Sequence, residues 1–309
     1  MTRHLLEIDD LSASELAEVL AGARAPLGRP LEGSGVALIM QLPSARTRNS
    51  TELAVVDLGG HPITLSGAEV GIDSRETAED LARTLAKYHR VLCARVTDHR
   101  TIERMRDAID AACLEVPVVN LLSPQGHPVQ AIADLLTLED EAGTALAGRR
   151  VAWVGDANNV ARSFALAAVA VGMDVSVATP AGHGFSPHDV ARIEAYAAST
   201  GSGGRLESAV TPREAVAGSM AVCTDVWVSM GQEAEREARL RAFDGFQVDE
   251  ALLAAAGDGA VLLHCLPAHR GEEVSHGALE GPQSRVWTQV AHRRTAMRGL
   301  LGWLVAVGR

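Results

Sequence analysis

Short apolar runs separated by helix-forming stretches recur along this chain, and that alternation restricts its fold more than any single residue does. In the first half the runs are Val36 to Met40, His61 to Leu65, Val91 to Val96 and Val116 to Leu122. In the second half they are Arg150 to Asp156, Asp174 to Pro180, Met220 to Trp227 and Ala260 to Pro267. Runs of this length without polar alternation read as strands buried on both faces, the habit of parallel sheets. Helical stretches fall between them: Asn49 to Leu58, Glu76 to Lys87, Gln130 to Glu141, Val160 to Val171, Pro187 to Ser199, Pro212 to Gly218 and Val248 to Ala256. A further helix precedes the first strand, capped near Ser12 and turning Leu16, Val19 and Leu20 inward. The order strand, helix, strand predicts an α/β protein with doubly wound parallel sheets. At 309 residues the chain exceeds one ordinary core, and Gly143 to Arg149 reads as a break. Two such domains with an interdomain cleft follow, 1–145 and 146–289, with a C-terminal helix in 290–309 packing back on the first.

Composition narrows the partners. The net charge is −11, so no basic excess exists to displace counterions from nucleic acid, and an anionic ligand has to be drawn by a local cluster of arginines. No stretch reaches the roughly 18 to 20 apolar residues of a membrane helix. The N-terminal residues lack the unbroken apolar core of a signal peptide. Cys93, Cys113, Cys223 and Cys265 are scattered without C-x-x-C spacing, which reads as reduced thiols in cytoplasm. Aromatic residues are 3%, so the cores have to be filled by Ala, Val and Leu.

In open α/β sheets, ligands bind beyond the carboxyl ends of the strands. After the first strand come Ser44, Ala45, Arg46, Thr47 and Arg48, where a strand passes into a helix. Free backbone N–H groups and the positive end of a helix dipole meet there, a fit for a compact oxyanion such as phosphate. The alternative for this stretch alone is an N-cap serine followed by arginines facing water. Arg95 ends the third strand and could equally pair with a carboxylate; His127 and Gln130 follow the fourth, where a capping histidine and a surface glutamine are the plainer readings. In the second half, Asp156, Asn158 and Asn159 follow one strand, Asp225 and Ser229-Met230-Gly231 another, and His264, Cys265, Leu266 and Pro267 the last. Taken singly these are turn residues, a loop cap and a small buried thiol. Val154-Gly155-Asp156 opens like a dinucleotide fold, but G-x-G-x-x-G is absent and NAD binding is not expected. Jointly the first set suits a phosphate carrying a carbonyl, and the second offers a carboxylate and amides to a zwitterionic amine. The combination points to group transfer from a phosphate-activated donor to an amine.

The order and spacing of SARTR at 44–48, HPVQ at 127–130, GDANN at 155–159, DVWVSMG at 225–231 and HCLP at 264–267 resemble the ornithine carbamoyltransferases over the whole chain. The resemblance implies a carbamoyl-phosphate domain and an ornithine domain, no metal or organic cofactor, and a homotrimer with active sites at subunit contacts. It implies that citrulline and phosphate are made from ornithine and carbamoyl phosphate. Carried across, Ser44, Ala45 (through its backbone N–H), Arg46, Thr47, Arg95 and Arg293 bind the phosphate, His127 and Gln130 the carbamoyl group, and Asn159, Asp225, Ser229 and Met230 ornithine. Cys265 and Leu266 meet both substrates, and a cis peptide is expected at Leu266-Pro267. Arg46 and His127 would polarise the carbamoyl carbonyl, while Asp225 and Cys265 orient the amine.

Three departures stand out. Ala45 replaces the family's threonine and removes a hydroxyl. Glu69, in the 66–74 loop, brings a carboxylate with Arg75 as its candidate partner, and His292 replaces an asparagine before the last arginine, leaving Arg293 and Arg294 both in play for that role. The alternatives these leave open are a carbamoyltransferase for another amine, putrescine or N-acetylornithine, and a weakly active carbamoyl-phosphate-binding paralogue.

Overall fold

The computed structural model of the protein describes residues 2–143, 145–229 and 233–307. The chain divides into two compact units, Met1–Ala133 with Ala291–Arg309, and Asp134–Val290. Two continuous helices each run through one of these divisions.

The first unit begins with α1 (Ala13–Arg24), β1 (Gly35–Met40), α2 (Ala45–Asp57) and β2 (His61–Ser66). It continues with α3 (Gly67–Val70), α4 (Ala78–Leu85), β3 (His89–Arg95), α5 (His99–Ala111), β4 (Val118–Leu122) and the start of α6 (Pro128–Ala142). Its sheet has the order β2-β1-β3-β4, with every neighbouring pair parallel. The second unit holds β5 (Arg150–Val154), α7 (Asn159–Ala170), β6 (Asp174–Ala178), α8 (Pro187–Thr200), β7 (Arg205–Ser208) and α9 (Pro212–Val216). Then come β8 (Ala221–Thr224), α10 (Arg236–Ala242), α11 (Glu250–Ala256), β9 (Val261–His264), α12 (His276–Glu280) and α13 (Val286–Val307), which passes into the first unit. This sheet runs β7-β6-β5-β8-β9, again all parallel. Chain order reverses direction between β1 and β3 in one sheet and between β5 and β8 in the other. Those are the two topological switch points, where loops part and leave a crevice.

The cores are aliphatic. Ala37, Ile39, Leu92, Ile102, Met105 and Val118 belong to one, and Ala152, Val154, Val222, Leu253 and Leu262 to the other. In the first unit, α13 lies against α1 so closely that a Cβ on Gly299 would sit 2.4 Å from the Val19 carbonyl oxygen. Only glycine permits that approach.

Several elements differ from the sequence reading. α2 starts at Ala45 rather than Asn49, because Ser44 takes an extended backbone and its Oγ accepts the Thr47 N–H at 3.3 Å. The helix also turns its hydroxyls inward: Thr47, Thr51, Ala54 and Val55 are buried, while Leu53 and Val56 are 45% and 55% exposed. The 66–74 loop contains α3, closed by a reciprocal cap between Ser66 and Glu69. The helix α5 and the edge strand β7 were not expected. In the second unit the strands stop earlier than the apolar runs do. β5 ends at Val154 because Gly155 takes φ +126° and leaves the pleat. β8 ends where the Thr224 hydroxyl donates to the Val154 carbonyl at 2.7 Å. β9 ends at His264, two residues before Leu266 adopts φ +59°. Asp156, Asp225 and Cys265 therefore stand beyond the sheet.

Candidate active site

In the first unit the polar groups gather at the β1/β3 switch point. Ser44 caps α2, and its hydroxyl donates to Thr47 Oγ1 at 3.1 Å. Thr47 Oγ1 also lies 3.5 Å from the guanidinium of Arg95, itself buried at the end of β3. His127 is placed by the turn before α6: Ser123 donates its N–H to the Gly126 carbonyl at 3.0 Å, and Gln130 donates its N–H back to the His127 carbonyl at 3.0 Å. Arg293 comes from α13, buried, and its guanidinium donates to His127 Nε2 at 3.0 Å and to Gln130 Oε1. Arg294 points elsewhere, into a two-point ion pair with Asp57. Of the two candidate arginines, Arg293 is the one brought to this cluster.

Since Nε2 of His127 accepts, its ring proton is assigned to Nδ1. Burial, followed by the charges of Arg293, Arg95 and Arg46, holds this imidazole well below its ordinary pKa. It is therefore neutral near pH 7, able to donate one hydrogen bond to a carbonyl but carrying no charge. Burial also pushes His4 and His89 of this unit down. All three bind a proton more readily unfolded than folded. Below their ordinary value near 6.5 the unfolded chain takes up more protons, and stability falls as pH falls. Above it their contribution is constant. Urea midpoints are expected to be level between pH 8 and about 7 and to drop progressively below about 6.5; a flat profile down to pH 5 would contradict the neutral assignment.

Ala45 is exposed at the first position of α2, and its carbonyl accepts from Asn49 Nδ2 at 2.8 Å. Arg48 is exposed and paired with Glu52 at 2.8 Å. The expected Glu69–Arg75 carboxylate pairing does not form. The Glu69 carboxylate accepts the Ser66 N–H at 2.6 Å, and Arg75 donates to the Glu69 backbone carbonyl at 2.8 Å. The residue acts as a helix cap there.

In the second unit the groups gather at the β5/β8 switch point. Asn158 caps α7, accepting the N–H groups of Val160 and Ala161 at 2.9 and 3.1 Å. Its amide donates to Asp225 Oδ2 at 2.8 Å, and the Cys265 thiol donates to Asp225 Oδ1 at 3.1 Å. Asp225 is thus a buried acceptor held between two neutral donors, an arrangement able to take an amine. Asn159 is the first residue of α7, and Ser229 is half-buried four residues after Asp225. Met230 lies outside the described residues. His264, fully enclosed, accepts the Leu266 N–H on Nδ1 at 2.9 Å and donates from Nε2 to Glu273 Oε1 at 3.1 Å. This fixes the chain just past Cys265, where Leu266 holds a left-handed backbone and Leu266-Pro267 is cis as expected. Asp225, His264 and Cys265 offer three metal-ligand atoms within 4.8 Å of one another, but both ring nitrogens of His264 are already engaged.

Residues 3–140 match the family description "Aspartate/ornithine carbamoyltransferase, carbamoyl-P binding domain", and residues 147–304 match its Asp/Orn binding domain. The chain belongs to the aspartate/ornithine carbamoyltransferase family. It is 45% identical to an ornithine carbamoyltransferase of Acidothermus cellulolyticus, over 99% of this chain and 97% of that one. Among solved structures, the carbamoyltransferase of Pyrococcus furiosus superposes with TM-score 0.89 at 39% identity, covering 97% of this chain and 96% of that one. An N-acetyl-L-ornithine transcarbamylase superposes with TM-score 0.82 at 27% identity, covering 97% and 99%.

For a carbamoyltransferase, three residues at these switch points carry more than the sequence reading gave them. Asn158 reaches Asp225. Glu273 sets the ring proton of His264 from within R-G-E-E-V, where two adjacent glutamates gave no sign of which one is buried. Arg239 sits in the charged run E-A-E-R-E-A-R-L-R, and only its spacing to Phe243, four residues on, hints that it turns inward.

Proposed function

We propose that the protein transfers the carbamoyl group of carbamoyl phosphate to the δ-amine of L-ornithine, giving L-citrulline and phosphate, a step of arginine and citrulline metabolism. The observation that carries this is the buried Arg293 guanidinium set against His127 Nε2, with the charges of Arg95 and Arg46 acting on the same imidazole: a cationic pocket beside a ring N–H, which suits a carbonyl next to a phosphate. Ser44, Thr47, the backbone N–H at Ala45, Arg46, Arg95 and Arg293 bind the phosphate. His127 and Gln130 bind the carbamoyl group. Asn159, Asp225, Ser229 and Met230 bind ornithine, with Cys265 and Leu266 beside both substrates.

The chemistry follows from these roles. The δ-ammonium first gives up a proton, since it has no lone pair to offer. The amine, oriented by Asp225 and Cys265, attacks the carbonyl carbon and a C–N bond forms. Negative charge developing on the carbonyl oxygen is met by Arg46 and by the His127 N–H. The C–O bond to phosphate then breaks, phosphate leaves with the bonding pair, and the nitrogen loses its second proton. Holding both reactants in attack geometry supplies much of the rate, an effect that can reach roughly 7–11 kcal/mol.

A homotrimer is part of the same reading. Leu53 and Val56 on α2 and Ile63 on the edge strand β2 leave apolar surface at 45%, 55% and 39% exposure, a natural face for another copy. A cytoplasmic location fits four cysteines that form no disulfide and the lack, among the described residues, of a helix long and apolar enough to cross a membrane.

Citrulline formation with ornithine, N-acetylornithine and putrescine as acceptors tests the reading. Ornithine is expected to give the highest kcat/KM; turnover of another amine without ornithine turnover overturns it, and no turnover at all returns the chain to a carbamoyl-phosphate-binding paralogue. The missing hydroxyl makes a second expectation. Ala45→Thr restores a hydrogen bond to a charged group worth about 1.5–3 kcal/mol, so the KM for carbamoyl phosphate should fall about tenfold or more. An unchanged KM would mean that the backbone N–H alone suffices at this position.

A further inference from the structure

The side chain of Arg239 has a place in the second unit that none of the substrate-binding roles uses. Of the arginines on α10, Arg236 pairs with Glu272 and Arg241 is exposed beside Glu237, while Arg239 is buried. Its Nε donates to the Trp227 carbonyl at 2.5 Å, and its terminal nitrogen donates to Asp156 Oδ2 at 2.6 Å. The guanidinium lies over the ring of Phe243, 5.5 Å from the centroid, and Phe243 in turn stacks on Trp227 at 5.3 Å. Glu235, at the N-cap of α10, makes no side-chain cap, and its carboxylate stands 3.8 Å from the Arg239 guanidinium.

The two oxygens that Arg239 joins belong to the two loops of the β5/β8 switch point. Asp156 stands two residues before Asn158 and three before Asn159. Trp227 stands midway between Asp225 and Ser229. The loops are tied a second time by the Asn158–Asp225 hydrogen bond. A guanidinium is well shaped for bridging them, because its planar fork fixes two acceptors in one geometry, which a lysine ammonium at the end of a flexible stem does not.

We infer that Arg239 is a positioning residue: it clamps the Asp156 and Trp227 loops at a fixed separation and so sets the geometry in which the amino-acid acceptor is held. The inference rests on the acceptor role proposed above for Asp225, Asn159 and Ser229. It assigns Arg239 no contact with either substrate. Asp156 serves as the anchor on the β5 side, its carboxylate pushed up by burial and opposed by the Arg239 charge.

The test is steady-state kinetics on the full chain with Arg239→Ala, Arg239→Lys and Asp156→Asn, each with a thermal midpoint. A misplaced binding group can cost up to about 10²-fold. Arg239→Ala and Asp156→Asn are each expected to raise the ornithine KM about tenfold or more, with the KM for carbamoyl phosphate within about twofold of wild type. Arg239→Lys should recover part of the loss. The double variant should be little worse than Arg239→Ala alone, because both changes break one clamp. A purely structural residue would instead move both KM values and the thermal midpoint together. That result, or an ornithine KM within about twofold of wild type in Arg239→Ala, overturns the clamp. If Arg239→Ala fails to fold, Arg239→Lys and Asp156→Asn decide by the same KM ratio. Turnover of ornithine by the wild-type enzyme tests the proposed function separately. If ornithine binds without being carbamoylated, the ratio of dissociation constants by calorimetry replaces the KM ratio; no ornithine binding to the wild type overturns both.

Discussion

Arg46→Ala is expected to lower kcat/KM for carbamoyl phosphate by roughly 10²- to 10³-fold, with the thermal midpoint almost unchanged. The magnitude comes from removing one partner of a desolvated charge pair, about 2–5 kcal/mol, and each 1.4 kcal/mol is about tenfold. The fold is spared because Arg46 is only half-buried on the first turn of α2, and substitutions at such sites usually stay within about 0.5 kcal/mol. Arg293→Ala makes the contrast. That side chain is buried against His127 and Gln130, so its loss should reduce both activity and stability. Steady-state kinetics and thermal melts on the two variants separate these outcomes. A wild-type KM for carbamoyl phosphate in Arg46→Ala would mean that the phosphate lies elsewhere.

Asp225→Asn is expected to damage the other substrate. Its two oxygens accept from the Asn158 amide and the Cys265 thiol, on opposite sides of one buried carboxylate. An asparagine offers one acceptor and turns an NH2 group toward a donor that it cannot satisfy. It also removes the charge that would hold an amine. Breaking such a pair costs about 2–5 kcal/mol, so kcat/KM for ornithine should fall roughly 10²- to 10³-fold. The KM for carbamoyl phosphate should stay near wild type. An ornithine KM within about threefold of wild type would exclude Asp225 as the group that holds the amine.

These two residues also show how much could be read before the fold was known. Arg46 was legible because a strand-to-helix junction with Ser44 and Thr47 has a chemical meaning of its own. Asp225 was legible because it is a lone carboxylate near the end of an apolar run, although the run overshot the strand: Val226 and Trp227 lie in a loop rather than a ladder, and apolar content alone cannot tell the two apart. The helix α5 carried a readable signal in Ile102, Met105 and Ile109, one face of a helix, but its many charged residues diluted it. The edge strand β7 is short and half-exposed, with little apolar pattern to find. The inward turn of α2 was not legible, since the rule that apolar residues face the core would have buried Leu53 and Val56 in place of Thr47 and Thr51. The contacts of Thr47 with Ser44 and Arg95 run against that rule here. Pairings such as Asn158 with Asp225, or Arg239 with Asp156, depend on which strands become neighbours, and the order β6-β5-β8 is a property of the sheet, not of any local stretch.

Residues 291–307, which complete the first unit and bring Arg293 to His127, are translated only after the entire second unit. A nascent chain that has released residues 1–133 therefore lacks both the helix that packs on α1 and the arginine that meets His127. The second unit, continuous from Asp134 to Val290, can close by itself during synthesis. The first half to emerge from the ribosome is thus the last to be finished, and it spends that interval with α1 uncovered on the face that later packs so tightly against Gly299.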